Sequence, residues 1–231
     1  MIDLTNWSYY KNIEGDIRGS YEWVRANLVY TPYVSEDGMT FCMSFNRDPN
    51  YHTNEEENKA WTEDLLENRF QKELEFHSKA STKMQTLNIL DVDYTNRKIF
   101  LEWHGDDFYM QGLKNGGYDS VLPDWKEQWT SLIKKMWEAG IYKLSLHPNS
   151  WVAHNGVLIP INWFFCYNKE DPAVTIRSLL VQISSNRQEK LGNVDLDKEY
   201  TPREAQYLAF SSFRSNYPDE LINTILKDYG I

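Results

Sequence analysis

One stretch of the sequence decides the fold: AGIYKLSLHPNSWVAHNGVLIPINWFF, residues 139–165. Its second residue is Gly140, and glycine commonly ends a helix. Further on, the dipeptide Asn155-Gly156 separates two apolar runs, Trp151–Ala153 and Val157–Ile161. An Asn-Gly pair in this setting is the strongest short-range signal of a β-hairpin. We therefore expect a helix end, a short loop, a tight hairpin and a further loop.

The residues before this stretch predict a sheet and a long helix. Val24–Tyr30 and Met39–Phe45 have strand-like patterns, and Thr31-Pro32 and Glu36-Asp37-Gly38 separate them. From Asn54 to Ala80 the pattern becomes helical. The apolar residues with near-helical spacing in this segment are Trp61, Leu65, Phe70 and Leu74.

Two more strands and a capped helix follow. Asn88–Tyr94 and Lys98–Trp103 are strand-like, and after them His104–Tyr109 is a polar connector. In the next helix, Asp124 and Glu127 have the spacing of a capping box, and Gly140 supplies the stop.

The remainder of the chain is predicted to be mostly helical. Its helices are Pro172–Ser185, Pro202–Arg214 and Pro218–Tyr229. We predict an α+β protein with two lobes. Residues 1–103 form an N-terminal lobe of antiparallel sheet and one long helix, 104–117 a connector, and 118–231 a mostly helical C-terminal lobe.

Composition excludes several classes of function. The formal charge of −10 disfavours a protein that binds nucleic acid through its phosphates. Two isolated cysteines, Cys42 and Cys166, do not suggest a disulfide framework, so we expect a reducing, cytoplasmic setting. Neither a signal peptide nor an apolar run of about 20 residues is present, so we expect no membrane association.

The order of the predicted elements resembles the protein-kinase-like fold. The resemblance is to its small atypical members, the lipopolysaccharide-kinase-like and aminoglycoside-phosphotransferase-like proteins, and it covers about residues 20–170. Those families tend to carry Gly-Ile-x-His-Gly-Asp-Leu-His-Pro-x-Asn at the position of residues 140–150. The residues that agree are Gly140, Ile141, Leu146, His147 and Pro148.

The resemblance implies positions for the groups that transfer a phosphoryl group. Such a site needs a carboxylate that orients the attacking hydroxyl, a second carboxylate and an amide that hold Mg²⁺, and a lysine paired with a helix glutamate. The catalytic aspartate falls on Ser145, the metal-binding asparagine on Ser150 and the second metal-binding aspartate on Asn162. The strand lysine falls near Ser44, and the helix glutamate has a surviving counterpart in Glu73.

Several of these positions have lost the required chemistry together. A serine is a weak ligand of Mg²⁺ and cannot accept a proton at neutral pH without a neighbouring base. Gly15 and Gly19 also lack the spacing of a glycine-rich phosphate loop. We interpret the chain as a pseudokinase with no catalytic residues, no metal and no cofactor, which binds a protein partner. Glu73 and Asn162 would be remnants of a nucleotide cleft.

The alternative is an active phosphotransferase of a different kind, which uses ATP with Mg²⁺. It would recruit Asp106, Asp107, Asp91 or Asp93 in place of the missing carboxylates. Solvation of the surface or capping of a helix also explains the Asp106-Asp107 pair. The composition is in addition similar to that of uncharacterised proteins of tailed bacteriophages, which implies work in the host cytoplasm or in virion assembly.

Histidines and tryptophans suggest two further sites. His104, His147 and His154 lie close in sequence, but their spacing matches no zinc signature, and we expect His147 to shape its loop. In the kinase-like layout the tryptophans near the cleft would fill the space of a nucleotide. They are Trp103, Trp151 and Trp163.

Overall fold

The structure is a computed structural model, which describes residues 2, 4–10, 29–52, 61–163, 165–175, 197–212 and 217–229. Several predicted features lie outside these ranges. They are Gly15 and Gly19, residues 24–28 of the first predicted strand, residues 54–60 of the long helix and residues 176–185 of the helix predicted at Pro172.

A five-stranded antiparallel sheet forms the N-terminal part of the protein. Its strands lie in the order β1-β2-β3-β5-β4. The strands are β1 (Ser8–Tyr9), β2 (Thr31–Val34), β3 (Thr40–Ser44), β4 (Ile89–Asp93) and β5 (Lys98–Glu102). The predictions of β3, β4 and β5 are confirmed, with ends that differ by one residue.

The second strand lies where the sequence predicted a break. Thr31-Pro32 begins β2, and the pair at 29–30 is not a strand. The carbonyl of Pro32 accepts a hydrogen bond from the N–H of Tyr10. Because the N and C=O of one residue point to the same side of an antiparallel strand, the donor that Pro32 lacks would also face β1. That neighbour is only two residues long, so the proline is tolerated.

A long helix, α1 (Glu63–Ser81), connects β3 to β4 and begins at Thr62, whose side chain accepts from the N–H of Leu65. Its buried stripe differs from the predicted one, because Leu65 is exposed and Leu66 is buried in its place. The stripe consists of Leu66, Phe70, Glu73, Phe76 and Ala80. This spacing of three and four residues places all five on one face of the helix.

The connector predicted at 104–117 contains a helix. The helices that follow β5 are α2 (Phe108–Lys114), α3 (Tyr118–Val121) and α4 (Trp125–Glu138). The predicted capping box of α4 is wrong, since the carboxylate of Asp124 accepts from the side chain of Gln128 and caps no backbone N–H. The predicted end of α4 is confirmed, because Gly140, directly after the last cap residue, has the left-handed φ of 70° that commonly terminates a helix.

Short antiparallel ribbons and two helices complete the C-terminal part. The hairpin is confirmed, with positive φ at Asn155 and Gly156 as a type I′ turn requires. The ribbons pair β6 (Ile141–Lys143) with β9 (Cys166–Asn168), β7 (Trp151–His154) with β8 (Val157–Pro160), and β10 (Val174–Thr175) with β11 (Glu199–Tyr200). The helices are α5 (Pro202–Ser212) and α6 (Asp219–Tyr229). The start predicted for a helix at Pro172 is wrong, because β10 lies there.

Two hydrophobic clusters form the core, and α1 contributes to both. One joins the sheet to the first half of α1, including Leu66 and Phe70. The other joins the second half of α1, including Phe76, to α4, α5 and α6. An α+β fold with an N-terminal antiparallel sheet and a mostly helical C-terminal part is therefore confirmed.

Candidate functional site

The loop between β6 and β7 has a fixed shape. The ring of His147 accepts a hydrogen bond at Nδ1 from the N–H of Asn149 (3.1 Å), at the start of a short 3-10 turn, Pro148–Ser150. The same ring packs on Tyr109 of α2, with ring centres 5.2 Å apart. His147 therefore positions the loop, as the sequence suggested.

The loop brings Ser145 and Ser150 together. Their Oγ atoms lie 3.2 Å apart, within hydrogen-bond distance. Ser150 is buried, whereas Ser145 is half-buried. The resemblance placed the catalytic aspartate and the metal-binding asparagine at these two positions. Two neutral hydroxyls that bond to each other provide neither a base nor a charged ligand.

Asn162 lies at the end of the hairpin and is held by a lysine. The Nζ of Lys143 donates to the backbone oxygen of Asn162 (2.8 Å) and to its Oδ1 (3.2 Å). Lys143 is completely buried. Burial lowers its pKa, and electrostatic interactions with Cys166 and Glu73 oppose that shift. Both oxygens of Asn162 are thus occupied by one donor group.

Glu73 connects α1 to the same segment. Its Oε1 accepts a hydrogen bond from the backbone N–H of Trp163, at 2.7 Å. Burial raises the pKa of Glu73 to about 7, although the bond from Trp163 and the charges of Lys143 and Arg69 oppose the rise. Lys143, Asn162 and Glu73, with the Trp163 backbone, form a buried polar link between α1, β6 and the end of the hairpin. We call it the Lys143 link.

Sequence reasoning named Glu73 and Asn162 but missed Lys143. The helix glutamate of the resembling families pairs with a lysine on β3, where this chain has the buried Ser44. Within the described residues, no side-chain hydrogen bond joins Ser44 to Glu73, and the buried cation comes from β6. A lone lysine inside the apolar run Ile141–Leu146 was the signal that could have identified it.

Tyr30 contacts this link from the sheet side. Its hydroxyl is hydrogen-bonded to the side chain of Asn162, and its pKa is raised, chiefly by burial. The second half of α1 is also tied to β9, because Lys79 donates to Asn168 (2.8 Å) and Asn168 donates to Glu75 (2.8 Å). The helix that carries Glu73 is therefore held along its length.

Apolar packing continues from the sheet to the hairpin. The sheet-side cluster includes Phe41 and Trp103, whose rings stack with centres 4.9 Å apart, and also Val152, Ile159 and Ile161 of β7, β8 and the residue after β8. Of the three tryptophans predicted to fill the cleft, Trp103 lies in this cluster. The other two belong to the C-terminal cluster and are Trp151 and Trp163.

The aspartates of the alternative interpretation have local partners. Asp107 caps α2 by accepting from the N–H of Met110 (3.0 Å), and it also accepts from the hydroxyl of Tyr10 (3.0 Å). The predicted capping role is therefore confirmed for Asp107. Its neighbour Asp106 forms an ion pair with Lys114.

The other two aspartates lie on the outer strand of the sheet. Asp91 accepts from the N–H of Val92 (2.8 Å), and Asp93 accepts from the N–H of Asn96 (3.0 Å) in the turn after β4. These bonds fix local backbone and do not bring the four aspartates to one place.

Two of the three histidines stack on each other. The rings of His104 and His154 are nearly parallel, at 6°, with centres 3.4 Å apart. Ring-nitrogen lone pairs lie in the ring planes, so parallel rings at this distance do not converge on one metal ion. Within the described ranges, no group of three or more His, Cys, Asp or Glu side chains is placed to hold a metal.

Comparisons with known proteins identify similar structures but no family. The sequence matches no family model and no curated protein. A rhoptry antigen kinase domain of Toxoplasma gondii has a TM-score of 0.40 at 10% identity, over 87% of this chain and 70% of that one. A rhoptry kinase from the same organism has a TM-score of 0.47 at 11% identity, over 85% and 67%.

The described elements follow the order that the resemblance to the protein-kinase-like fold predicts. They are the antiparallel sheet with α1 between β3 and β4, a connector, α4, the loop and the hairpin. Identities of 10% and 11% give no indication of activity, substrate or partner. In the described part of the chain, no helix combines the length and the apolar character needed to cross a membrane.

Proposed function

We propose that this kinase-like protein does not transfer phosphoryl groups and acts as a binding or regulatory module for a protein partner. The observation that carries the proposal is the Lys143 link. Lys143 occupies both oxygens of Asn162, the residue at which the resemblance places a metal-binding aspartate.

The chemistry of Mg²⁺ explains why this arrangement opposes catalysis. The ion requires oxygen ligands at about 2.0–2.1 Å in octahedral geometry and is usually bound through one or two carboxylates. Asn162 has no charge, and its Oδ1 already accepts a hydrogen bond from Nζ of Lys143. An ammonium at this position repels a divalent cation, and a neutral amine still donates to the same oxygens.

Two further observations support the proposal. At the position of the catalytic base, Ser145 bonds to Ser150 and has no charge with which to orient a nucleophile. The apolar cluster that includes Phe41, Trp103 and Ile159 packs the sheet against the hairpin, where the resembling families place a nucleotide.

The partner and the location belong to the same proposal. A protein without phosphoryl transfer needs neither ATP nor Mg²⁺, so we expect it to act by binding a protein partner through its surface. Cys42 and Cys166 are both buried thiols and form no disulfide, which agrees with a reducing compartment such as the cytoplasm.

The test is an assay of phosphoryl transfer. The purified protein is incubated with labelled ATP and Mg²⁺ or Mn²⁺, and both free phosphate and labelled protein are measured, with an active kinase as positive control. We expect neither product above the level of a heat-denatured sample. Transfer that is lost in Asp106→Asn or Asp91→Asn would overturn the proposal and establish an active phosphotransferase with carboxylates at new positions.

A further inference from the structure

Two histidines from different elements of the fold stack face to face. His104 begins the connector segment, residues 104–107, which leads from β5 to α2, and His154 is the last residue of β7. Their ring centres lie 3.4 Å apart and the ring planes differ by only 6°, so the two rings overlap. Both residues are half-buried, so protons from solvent can reach them.

The stack joins a backbone that is anchored to the sheet to the end of the hairpin. The N–H of Trp103, directly before His104, donates to the carbonyl of Met39 at 2.8 Å. On the other side of the stack, His154 pairs with Val157 across the hairpin. The two rings are therefore a direct contact between the connector segment and the hairpin turn.

The hydrogen bond of His154 requires an unprotonated ring nitrogen. Its Nε2 lies 2.8 Å from the amide nitrogen of Asn155. An amide nitrogen only donates, so Nε2 accepts. A proton on Nε2 removes this acceptor, and protons on both rings place two like charges face to face. Stacked rings that interact in this way take up protons in two separate steps.

The charged groups around the stack can offset one proton on the pair but not two. Among the described residues, Glu102 of β5 is the acidic group whose charge acts on His104. The carboxylates further along the chain have other partners, since Asp106 forms an ion pair with Lys114 and Asp107 is buried as the cap of α2. On the hairpin side, the neighbouring polar side chain is the neutral amide described above.

Partial burial acts on His104 in the same direction as the second charge. Burial lowers the pKa of His104 below its ordinary value of 6.5, the interaction with His154 lowers it further, and Glu102 opposes the shift. A histidine whose pKa is lowered in the folded state stabilises the fold above pH 6.5, and this contribution is lost as the pH falls below that value. The pH range concerned is therefore mildly acidic.

The backbone beside the stack can change direction. Gly105, directly after His104, is exposed and has a φ of 94°, which glycine adopts without steric cost. Other contacts of the hairpin do not depend on protonation, because the side-chain amide of Gln111 bonds to the carbonyl (2.9 Å) and the N–H (3.0 Å) of Ala153. Separation of the rings would therefore leave β7 held to α2.

We propose that the stack of His104 on His154 is an acid-sensitive contact, which opens when both rings carry a proton and releases the connector segment from the hairpin turn. The change is a local movement about Gly105, and the rest of the fold stays intact. Surfaces of the connector segment and of the hairpin turn that the stack covers at neutral pH are then exposed. This inference does not depend on the proposed absence of phosphoryl transfer.

The experiment follows the histidine rings and the backbone amides of the whole ¹⁵N-labelled protein by NMR, from about pH 8 to about pH 4.5. We expect His104 and His154 to titrate in two separate steps. With the second step, the nuclear Overhauser contacts between the two rings should disappear. The amide shifts of the connector segment and the hairpin turn should change with them, while the dispersion of the remaining amides is retained.

Replacement of one ring tests whether the pair causes this response. His154→Phe keeps an aromatic face for His104 but removes the second charge, so His104 should titrate at higher pH and the acid response of the connector segment should be lost. His104→Phe should abolish the response equally, and the double variant should add nothing to either single one. The titration of His77, on α1, is the internal control and should be the same in all variants.

Four results would overturn the inference. They are titration of both rings in a single step, ring contacts that persist in acid, an acid response that either single variant retains, and unfolding of the whole protein together with the second step. None of them bears on phosphoryl transfer, which the labelled-ATP assay decides separately.

Discussion

Replacement of Lys143 by methionine tests the Lys143 link most specifically. Methionine fills a similar volume but donates no hydrogen bond. In Lys143→Met the two oxygens of Asn162 lose their donor, and Glu73 stays buried without the cation whose charge now lowers its pKa. The loop, the hairpin end and α1 would then be less firmly connected.

The expected cost follows from the burial of the group. Lys143 is 0% exposed and Glu73 is 7% exposed, so water cannot replace the lost partner. Each buried polar group left without its partner costs about 1–3 kcal/mol, and the two oxygens of Asn162 and the carboxyl of Glu73 are all affected, so we expect a total loss of about 3–5 kcal/mol of unfolding free energy. In a chain of this size, that corresponds to a fall of about 6–20 °C in the midpoint of thermal unfolding.

A second substitution shows whether the buried charge is the cause. In Lys143→Met/Glu73→Gln, the glutamine oxygen still accepts from the N–H of Trp163, but no charge remains unpaired. The double variant should recover about 2 kcal/mol relative to Lys143→Met.

The assay is unfolding in urea at neutral pH, followed by tryptophan fluorescence. Lys135→Met, the same substitution at an exposed site of α4, is the matched control and should change stability by less than about 0.5 kcal/mol. If Lys143→Met is as stable as this control, or if the double variant is no more stable than the single one, the link does not stabilise the fold.

Three further substitutions have expected outcomes. Burial raises the pKa of Asp107 to about 7, so the contribution of its protonated form to stability is present below pH 3.8 and is lost as the pH rises through 7. Asp107→Asn can still cap α2, and in urea unfolding its stability relative to the wild type should rise by up to about 4 kcal/mol between pH 4 and 8. A stability difference between variant and wild type that does not change with pH would contradict this. Tyr217→Phe removes the hydroxyl that donates to the Leu146 carbonyl and accepts from Trp151 (3.0 Å). It should lower the free energy of unfolding by about 2–3 kcal/mol in the same assay, and an unchanged urea midpoint would show that both partners find other bonds. Gly140→Ala places a Cβ on a residue with a φ of 70°, so we expect the free energy of unfolding to fall by about 1 kcal/mol. A variant more stable than the wild type would mean that the turn relaxes.

Local signals in the sequence predicted much of the fold. The hairpin followed from Asn155-Gly156 and the helix end from Gly140, because each depends on the φ angles that these few residues adopt. The end of the long helix was predicted within one residue, but its start at Glu63 lies later than predicted, since residues 61–62 are not helical, and its buried face differs from the predicted one. With leucine at both 65 and 66, the periodicity left the buried one undecided, and packing against the sheet selected Leu66.

The missed features depend on contacts between distant residues. The ribbon of β6 and β9 pairs Lys143 with Cys166 through strands of three residues, which are too short to show an alternating pattern. The strand at Thr31-Pro32 was missed because the tolerance of a proline depends on what lies beside it. The contact of Ser145 with Ser150, by contrast, is local, because both residues belong to one loop.

The sequence could single out Lys143 as a lysine among apolar residues, but it could not show what the side chain contacts, for the same reason. Its partners, Asn162 and Glu73, lie far away along the chain, and only the fold brings them to its side chain. The neutral residues at the positions where the resemblance expects carboxylates could be read from the sequence, whereas the lysine that donates to Asn162 could not.

The most direct measurement of the central claim is thermal unfolding with ATP, in the absence and in the presence of Mg²⁺ or Mn²⁺. A ligand that binds the native state at 100 times its dissociation constant adds about 2.7 kcal/mol of stability, which is readily detected as a rise in the midpoint. With Asn162 held by Lys143 and the sheet packed on the hairpin, we expect no metal-dependent rise. A rise that requires both ATP and the metal would show that the site still binds a metal nucleotide, and would contradict the account.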